Sequence, residues 1–375
     1  MTPEEPRPEA ATVRVIASPS SWIEGEALRQ LEAAARLPGM RLAVGLPDLH
    51  PGRGHPIGAA FASEGFVHPH LVGGDIGCGM ALFRTGLSAR KAKRDAWAKR
   101  LAGLEEPWDG DAAQVLAEHG ASAGAFEPAL GTIGGGNHFA ELQVIHEVGD
   151  EEAIARLGLD ASELVLLVHS GSRGLGQSIL DRHVRAHGAG ALPVPSPEAA
   201  AYLEAHDEAV RWAHANRALV ARRFLDLVGG EPRVVLDVCH NSVTPRGGGL
   251  LHRKGAAPHD RGVVAVPGSR GSYTDLVEPV GDGERSGWSL AHGAGRKYTR
   301  GDARKRLRER FRASELRQTE LGSVVLCDDK DLLFEEAPAA YKDVDRVVQD
   351  LVDGGVGRVV AVTRPLITYK VRARE

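Results

Sequence analysis

Side chains that bind transition metals stand at the ends of short apolar runs, or among glycines, in separate segments of this chain. They are Asp75, Cys78, His138, His169 and His240. At such positions the backbone can bring a side chain close to a ligand, and a thiol combined with imidazoles and a carboxylate favours a transition-metal site. The chemistry-bearing motifs extend from residue 48 to residue 370. Because one site would draw on so much of the chain, we predict a single domain over residues 1–375.

The apolar runs predict strands, since each is short and bounded by turn residues. Leu164–Val168 is entirely apolar and is predicted to be a central strand that ends at His169. Val234–Val238 repeats this design and ends at Cys239-His240. The other two predicted strands are Arg41–Leu46, which ends at Pro47, and Met80–Phe83.

Two helices are predicted between the strands that end at His169 and His240. Leu175–Val184 has an amphipathic pattern. A longer helix follows Ser196, a favourable N-cap residue, with Pro197 at its first position, and Gly229-Gly230 ends it. Its apolar face is predicted to consist of Leu203, Val210, Ala213, Val220, Phe224 and Leu227.

Composition gives little indication of a partner. The chain has 46 basic and 50 acidic residues, and a net charge of −4 carries no global signal for nucleic acid. Three cysteines are a poor disulfide framework and fit a reducing cytosol. The first dozen residues are acidic and proline-rich, unlike a signal peptide, and no apolar run reaches the roughly 20 residues of a membrane span. We therefore expect a cytoplasmic protein with no membrane partner.

Each of these motifs also has a purely structural interpretation. A lone Asp-x-x-Cys is usually a turn, and His169 could simply end a strand. Cys239 alternates with His240, so only one of the two can face the site, and we assign Cys239 to core packing. Cys327 is also predicted to be structural. His187 begins a His-Gly-Ala-Gly string, as His292 does, but it follows a predicted helix and is interpreted as part of that helix's end.

A histidine beside a metal site can act as a nucleophile, and His292 lies in Ser-Leu-Ala-His-Gly-Ala-Gly-Arg. With this motif the chain resembles the RtcB family of RNA ligases. The matching segments are Pro47–Gly54, Gly73–Met80, Gly134–Glu141, His169–Gly174, His240–Asn241, Arg253–Ala256, Pro267–Ser269, His292–Arg296 and Ala339–Asp345. The resemblance covers nearly the whole chain, and its cysteine loop and His-Gly-Ala-Gly-Arg motif are highly specific.

The resemblance implies an α+β fold with mixed sheets around a deep metal- and nucleotide-binding cleft. It implies two manganese ions bound by Asp75, Cys78, His138, His169 and His240, with the Cys78 thiolate bridging them. His292 would be guanylylated by GTP, and Asp48 would orient it. The implied guanylate contacts are Asn137, His138, Phe139, Ala140, Glu141, Asn241, Pro267, Gly268, Ser269, Arg270, Gly293, Ala294, Gly295, Tyr341 and Lys370. For one further hydroxyl contact, Thr274 matches by ungapped spacing and Ser272 is the alternative.

The implied activity joins RNA 3′-phosphate or 2′,3′-cyclic phosphate ends to 5′-hydroxyl ends, in RNA repair or tRNA processing. The chain contains neither the Lys-x-Asp-Gly motif of lysine-dependent ligases nor a Walker-type phosphate loop. Two alternatives stay open: a metal-dependent cyclic phosphoesterase, and a non-catalytic RNA-binding repair factor. The chain is shorter than typical family members, which leaves the natural RNA open, and any need for an activating protein partner is open as well.

The basic segment Arg296–Arg312 carries nine basic side chains in seventeen residues. It could be a solvated helix or a phosphate-binding surface beside His292.

Overall fold

A computed structural model describes residues 11–372 of the chain. In this part of the chain nine α-helices and seventeen strands form an α+β fold, as the sequence predicts. The helices are α1 (Gly25–Ala34), α2 (Arg94–Arg100), α3 (Ala112–Glu118), α4 (Glu151–Arg156), α5 (Gly174–His187), α6 (Pro197–Val228), α7 (Arg300–Arg308), α8 (Lys330–Glu335) and α9 (Val344–Asp353).

The strands are β1 (Thr12–Val15), β2 (Met40–His50), β3 (Ile57–Ser63), β4 (Phe66–Val67), β5 (Gly79–Ser88), β6 (Phe139–Val148), β7 (Glu163–Ser170), β8 (Leu192–Pro193), β9 (Arg233–Cys239), β10 (Asn241–Arg246), β11 (Gly249–Lys254), β12 (Ala256–Pro258), β13 (Val264–Pro267), β14 (Thr274–Pro279), β15 (Ser289–Ala291), β16 (Val324–Cys327) and β17 (Gly357–Val371).

Two large mixed sheets dominate the fold. One has eight strands, in the order β13-β14-β17-β6-β7-β5-β9, with β16 paired in parallel to β17. The other has five strands, in the order β1-β2-β3-β11-β10, and its β1–β2 pair is parallel. The remaining pairs within these two sheets are antiparallel. Two small sheets, β12-β15 and β4-β8, complete the strand pairings.

The eight-stranded sheet is buried on both faces, which explains why its central strand β7 is continuously apolar. Val165 and Leu167 enter a core that is shared with the five-stranded sheet and α9. Leu164, Leu166 and Val168 alternate with them and pack with α6 and α2 on the opposite face. The sequence prediction of a central strand is confirmed, because β7 lies between β6 and β5.

Helix α6 begins and ends where the sequence predicts. The Ser196 hydroxyl accepts a hydrogen bond from the backbone N–H of Ala199, and Gly229 caps the helix in the left-handed conformation with φ 81°. The predicted single apolar face is too simple, however. Asn216, Arg217 and Arg223 are also buried along this 32-residue helix. Among residues 11–372, no helix is long and apolar enough to cross a membrane.

One strand boundary differs from the prediction. The strand predicted to end before Pro47 continues to His50 as β2. Its register against β3 shifts between Gly45, which pairs with Ala59, and His50, which pairs with Ile57. Such an irregularity tolerates a proline and redirects side chains. Asp48 therefore lies in a bulged strand rather than in a loop.

Candidate active site

The five ligand-type side chains predicted from the sequence meet at one edge of the eight-stranded sheet. Neighbouring strands run antiparallel, so β5 and β6 begin at this edge while β7 and β9 end there. The loops and strand ends at the edge therefore lie side by side in space, although they are far apart in the chain. We call the assembled side chains the donor cluster; its members are Asp75, Cys78, His138, His169 and His240.

Within the donor cluster, Cys78 occupies the shared position. Its Sγ lies 3.2 Å from His169 Nε2 and 3.4 Å from His138 Nε2, and His138 Nε2 lies 3.1 Å from Asp75 Oδ2. Cys78, His169 and His240 form one group of potential ligand atoms within 4.8 Å of one another, and Asp75, Cys78 and His138 form a second. Cys78 is therefore the member common to both groups of potential ligands.

The protonation states of the donor cluster suit metal binding. Burial, together with neighbouring imidazoles, lowers the pKa values of His169 and His240 well below the usual range, so both rings are neutral and keep a free lone pair. Burial and the Asp75 carboxylate raise the pKa of the Cys78 thiol. A bound cation would reverse that effect, because a metal-coordinated thiol is deprotonated. The set of one buried thiol, three buried imidazoles and one partly exposed carboxylate is therefore chemically suited to transition-metal ions.

His292 lies directly beside the donor cluster, immediately after β15. Its ring centroid is 4.7 Å from that of His240. Its Nδ1 is 2.6 Å from Oδ2 of Asp48, and its backbone N–H donates to the same oxygen at 3.3 Å. Asp48 is fully buried. A carboxylate at Nδ1 favours the tautomer that carries its proton there, which leaves the lone pair of Nε2 available for nucleophilic attack.

The polypeptide around Asp48 is held by two residues that the sequence analysis did not single out. Lys342 Nζ donates to the carbonyl oxygens of Pro47, at 3.3 Å, and Leu49, at 2.6 Å. His50 Nδ1 lies 2.8 Å from the Asp48 carbonyl oxygen, and burial lowers the pKa of His50 to about 4. Both contacts follow from the bulge in β2, for which the sequence carries no signal beyond Pro47.

A cavity of about 540 Å³ runs past the donor cluster and His292. Most of the side chains predicted to contact guanylate line it: Asn137, Phe139, Glu141, Asn241, Pro267, Gly268, Ser269, Arg270, Gly293, Ala294, Gly295, Tyr341 and Lys370. Ala140 lies in the apolar cluster with α6. Neither Thr274 nor Ser272 lines the cavity; Thr274 Oγ1 accepts from Gln143, and Ser272 Oγ lies 3.1 Å from Ser269 Oγ.

The cavity contains a buried carboxylate and a buried ammonium group. Glu141 accepts hydrogen bonds from Gln143 Nε2, at 2.7 Å, and from the Thr368 hydroxyl. Burial raises the pKa of Glu141 to about 7, although both hydrogen bonds oppose the shift. Burial also lowers the pKa of Lys370 to about 8, opposed by Glu336. Thr368 could have been found from the sequence, because it lies two residues from Lys370 on the same face of β17.

A second polar group in the cavity wall involves Glu336, which the sequence analysis also missed. Arg296 Nη1 donates to Glu336 Oε1 at 2.9 Å, and the Tyr341 hydroxyl donates to Glu336 Oε2. The Arg296 guanidinium also lies 5.1 Å from the centre of the Tyr341 ring. These contacts hold Tyr341 in the cavity wall. The signal in the sequence was the Glu-Glu-Ala-Pro stretch just before Ala339–Asp345.

The basic segment is partly neutralised by the protein itself. Arg296 and Arg300 pair with Glu336, and Arg304 and Arg308 pair with Asp331. Arg306 and Arg310 lie over the aromatic rings of Tyr298 and Phe311. Within residues 11–372, the segment's basic side chains without an ion pair or ring contact are Lys297, Lys305 and Arg312. Only part of the segment is therefore available to a phosphate chain.

Cys239 lies on the opposite side of β9 from the donor cluster, as its alternation with His240 predicts. The prediction that it is a buried core residue is confirmed, but its contacts are polar. Its Sγ lies 3.4 Å from Arg217 Nη2, 3.3 Å from the Gly77 carbonyl oxygen and 3.6 Å from His214 Nε2. It belongs to a polar network beneath the donor cluster. The sequence signal for that network was Arg217, which lies on the predicted apolar stripe of α6, four residues after Ala213 and three before Val220.

Comparisons with known proteins show which family this chain is similar to. A family model described as "tRNA-splicing ligase RtcB" matches residues 30–106 and 104–371. The chain is 51% identical to an Escherichia coli protein named "RNA-splicing ligase RtcB2", with 97% of each chain covered. It is 30% identical to a "tRNA-splicing ligase RtcB" of Thermococcus kodakarensis, with 90% of each covered. It is 31% identical to an "RNA-splicing ligase RtcB" of Mycobacterium tuberculosis, covering 90% of this chain and 99% of the relative.

Proposed function

Because the chain belongs to the RtcB family of RNA ligases, we propose that it joins RNA 3′-phosphate or 2′,3′-cyclic phosphate ends to 5′-hydroxyl ends, using GTP and two manganese ions. One observation carries the proposal: a single cavity is lined by His292, whose Nδ1 contacts the buried Asp48 carboxylate, by four members of the donor cluster (Asp75, Cys78, His169 and His240), and by Glu141 and Lys370. A nucleophile, cation ligands and a pocket for the nucleotide are the parts that guanylate transfer requires.

The donor cluster would hold the two cations. Asp75 and His138 would bind one, His169 and His240 the other, and the Cys78 thiolate would bridge them, in keeping with its place in both groups of ligand atoms. When bound, the cations would supply Lewis-acid stabilisation of phosphate oxygens. Imidazole and thiolate ligands favour zinc or iron over manganese. The proposal of manganese therefore rests on the family resemblance.

His292 would be the nucleophile. Its Nε2 would attack the α-phosphorus of GTP, forming the N–P bond as pyrophosphate leaves. Asp48 would hold the ring and stabilise the positive charge that develops on it, through the proton on Nδ1. Guanylate would then pass to an oxygen of the RNA 3′-phosphate, which frees His292. Attack by the 5′-hydroxyl on that RNA phosphorus would form the phosphodiester and release GMP. A cyclic phosphate end would first be opened by water.

Guanine selectivity would come from Glu141 and Lys370, two buried charged residues that line the cavity. The Glu141 carboxylate can accept hydrogen bonds from N1–H and N2–H of guanine, and the Lys370 ammonium can donate to O6. Adenine presents neither the N1–H donor nor the O6 acceptor, so the same two side chains would face mismatched groups. A site built to satisfy polar groups of its substrate rejects an analogue that leaves them unpaired. The other cavity-lining side chains would enclose the sugar and phosphate.

We further propose that residues 1–375 act as one domain, in RNA repair or tRNA processing, in the cytoplasm. The core shared by both large sheets and α9 supports a single domain. The three cysteines are free, which suits a reducing compartment. Lys297, Lys305 and Arg312, whose charges are not paired within the described residues, are the members of the basic segment that would contact RNA phosphates.

Intact-mass spectrometry after incubation with GTP and Mn²⁺ tests the proposal directly. We expect the wild-type protein to gain one GMP, and His292→Ala to gain none. His187→Ala is a matched control, because His187 begins the same His-Gly-Ala-Gly sequence but lies exposed at the end of α5; it should be guanylylated normally. An adduct that persists in His292→Ala would place the nucleophile elsewhere.

A ligation assay separates the proposal from its two alternatives. A labelled RNA with a 3′-phosphate or 2′,3′-cyclic phosphate is mixed with a 5′-hydroxyl acceptor, Mn²⁺ and either GTP or ATP. We expect a joined product with GTP and none with ATP. Opening of the cyclic phosphate without joining would favour a phosphoesterase, and RNA binding without either reaction would favour a non-catalytic repair factor.

A further inference from the structure

Helix α6 crosses behind the donor cluster and carries one arginine that contacts several of its supporting segments. Arg217 is fully buried. Its Nη1 donates to the carbonyl oxygens of Gly77, at 2.7 Å, and Ser170, at 2.9 Å. Its Nη2 donates to Cys239 Sγ at 3.4 Å, and its Nε donates to Asp237 Oδ1 at 2.6 Å. The Asp237 carboxylate balances the buried positive charge, as a buried ion requires.

The contacts of Arg217 coincide with one of the two groups of potential ligands. Three of its acceptors are immediate chain neighbours of donor-cluster residues, in the pairs Gly77 with Cys78, Ser170 with His169, and Cys239 with His240. Those three ligands are the ones whose donor atoms all lie within 4.8 Å of one another in the first group. Each comes from a different segment of the chain. Pairing of β5 with β7 and with β9 brings the three segments side by side, and Arg217 contacts all three of them from α6.

The backbone of the cysteine loop also lies directly against α6 at this point. Gly77 has φ 76°, a conformation that residues with a side chain rarely adopt, and a Cβ there would lie 2.8 Å from the Cβ of Ala213. Only glycine permits so close an approach. The short approach brings the Gly77 carbonyl within reach of the Arg217 guanidinium, one turn further along the helix.

We propose that Arg217 is a positioning residue that sets the mutual spacing of Cys78, His169 and His240 around a divalent cation. The inference rests on the proposed metal role of these three residues. A guanidinium group is planar and presents its five N–H donors at fixed angles, so acceptors on three segments are held in one rigid arrangement. Groups that orient metal ligands from behind typically contribute roughly 10- to 100-fold to metal affinity.

The same helix provides a matched control. Arg223 is also buried on α6, and it donates to the carbonyl oxygens of Glu106, Gly131 and Gly103. None of these three residues adjoins a member of the donor cluster. Arg223→Met should therefore affect packing to a similar extent as Arg217→Met, without changing the spacing of the ligands.

The test uses Co²⁺ as the probe, because a cobalt–thiolate bond gives a charge-transfer band and the d–d bands report coordination geometry. The full-length wild type, Arg217→Met, Arg217→Lys and Arg223→Met are titrated with Co²⁺ and followed by absorbance. We expect Arg217→Met to bind one equivalent at least tenfold more weakly, with altered d–d bands. Arg217→Lys keeps the charge and one donor group, and should be intermediate. Arg223→Met should match the wild type.

The outcomes distinguish this inference from the proposed function. If the wild type binds Co²⁺ without a thiolate charge-transfer band, the metal role of Cys78 itself is wrong. If the wild type shows the band and Arg217→Met matches it in affinity and spectrum, only the positioning role is wrong. Should Arg217→Met fail to fold, the comparison of Arg217→Lys with Arg223→Lys decides in its place: equal cobalt affinities and spectra in the two lysine variants would overturn the positioning role.

Discussion

Replacing Asp48 by asparagine is expected to slow the guanylylation of His292 while leaving the shape of the site intact. Asp48 is fully buried, and its Oδ2 accepts from Nδ1 of His292 at 2.6 Å and from the His292 backbone N–H at 3.3 Å. Asparagine has nearly the same volume but no charge. Its amide can also present N–H to Nδ1, which would favour the tautomer with the proton on Nε2 and remove the attacking lone pair.

The structure allows the size of the effect to be worked out. The lost interaction is a buried hydrogen bond to a charged group, which contributes about 1.5–3 kcal/mol. Its strength grows as the ring becomes positively charged during attack, so the loss falls on the transition state. At about 1.4 kcal/mol per factor of ten, the rate of guanylylation should fall roughly 10- to 150-fold, and further if the tautomer changes.

The assay is single-turnover formation of the GMP adduct at saturating GTP and Mn²⁺, with metal content measured in parallel. Asp207→Asn is the control, because Asp207 Oδ1 lies 2.8 Å from His206 Nδ1 in a histidine–carboxylate pair that does not line the cavity. We expect that variant to react at the wild-type rate. An Asp48→Asn protein that retains its metal and also reacts at the wild-type rate would refute the orienting role of Asp48.

Three further predictions concern the metal, the base and the RNA. Cys78→Ala should lose bound Mn²⁺, measured by atomic emission, whereas Cys239→Ala should retain more of it; equal losses would contradict the bridging role of Cys78. Burial raises the pKa of Glu141 to about 7, so its carboxylate forms as the pH rises through 7. The apparent KM for GTP should therefore fall over that range. Glu141→Gln should abolish this pH dependence at constant metal content. Charge reversal at Lys305 and Arg312 should leave guanylylation unchanged but weaken RNA sealing, increasingly with salt; an unchanged salt dependence would exclude an RNA contact there.

Many helix and strand positions could be predicted from short sequence patterns, because these elements depend on interactions between residues close together in the chain. The N-cap Ser196 and the stop at Gly229 are satisfied by atoms only a few residues away, so α6 could be delimited from the sequence. The apolar run of β7 indicated burial on both faces in the same way. The end of β2 could not be placed, because its extension to His50 depends on the bulged pairing with β3.

In the candidate site, too, the sequence predicts the residues that local patterns mark and misses those that depend on distant contacts. Its chemically distinctive side chains stood out because glycine-rich or strand-end contexts mark them one by one. The roles of Glu336 and Lys342 could not be predicted from the sequence, because each contacts a residue in a distant segment: Glu336 contacts Arg296, and Lys342 contacts the carbonyl oxygen of Leu49. For Cys239, strand alternation predicts the face of β9 and hence its burial. It does not predict that a polar side chain of α6, Arg217, lies on that face.

By itself, the sequence determined the identity of the donor cluster, of His292 and of the strands that carry them, since residue type and short-range pattern specify these. The family resemblance implied that Cys78 is shared between two groups of ligands and that Asp48 orients His292, and the tertiary structure places these side chains in contact. Only the tertiary structure decided that Arg217 contacts three supporting segments. The physical reason is separation along the chain. The bond from Arg217 to Gly77 spans 140 residues, and such a contact exists only once the two sheets and α6 have packed.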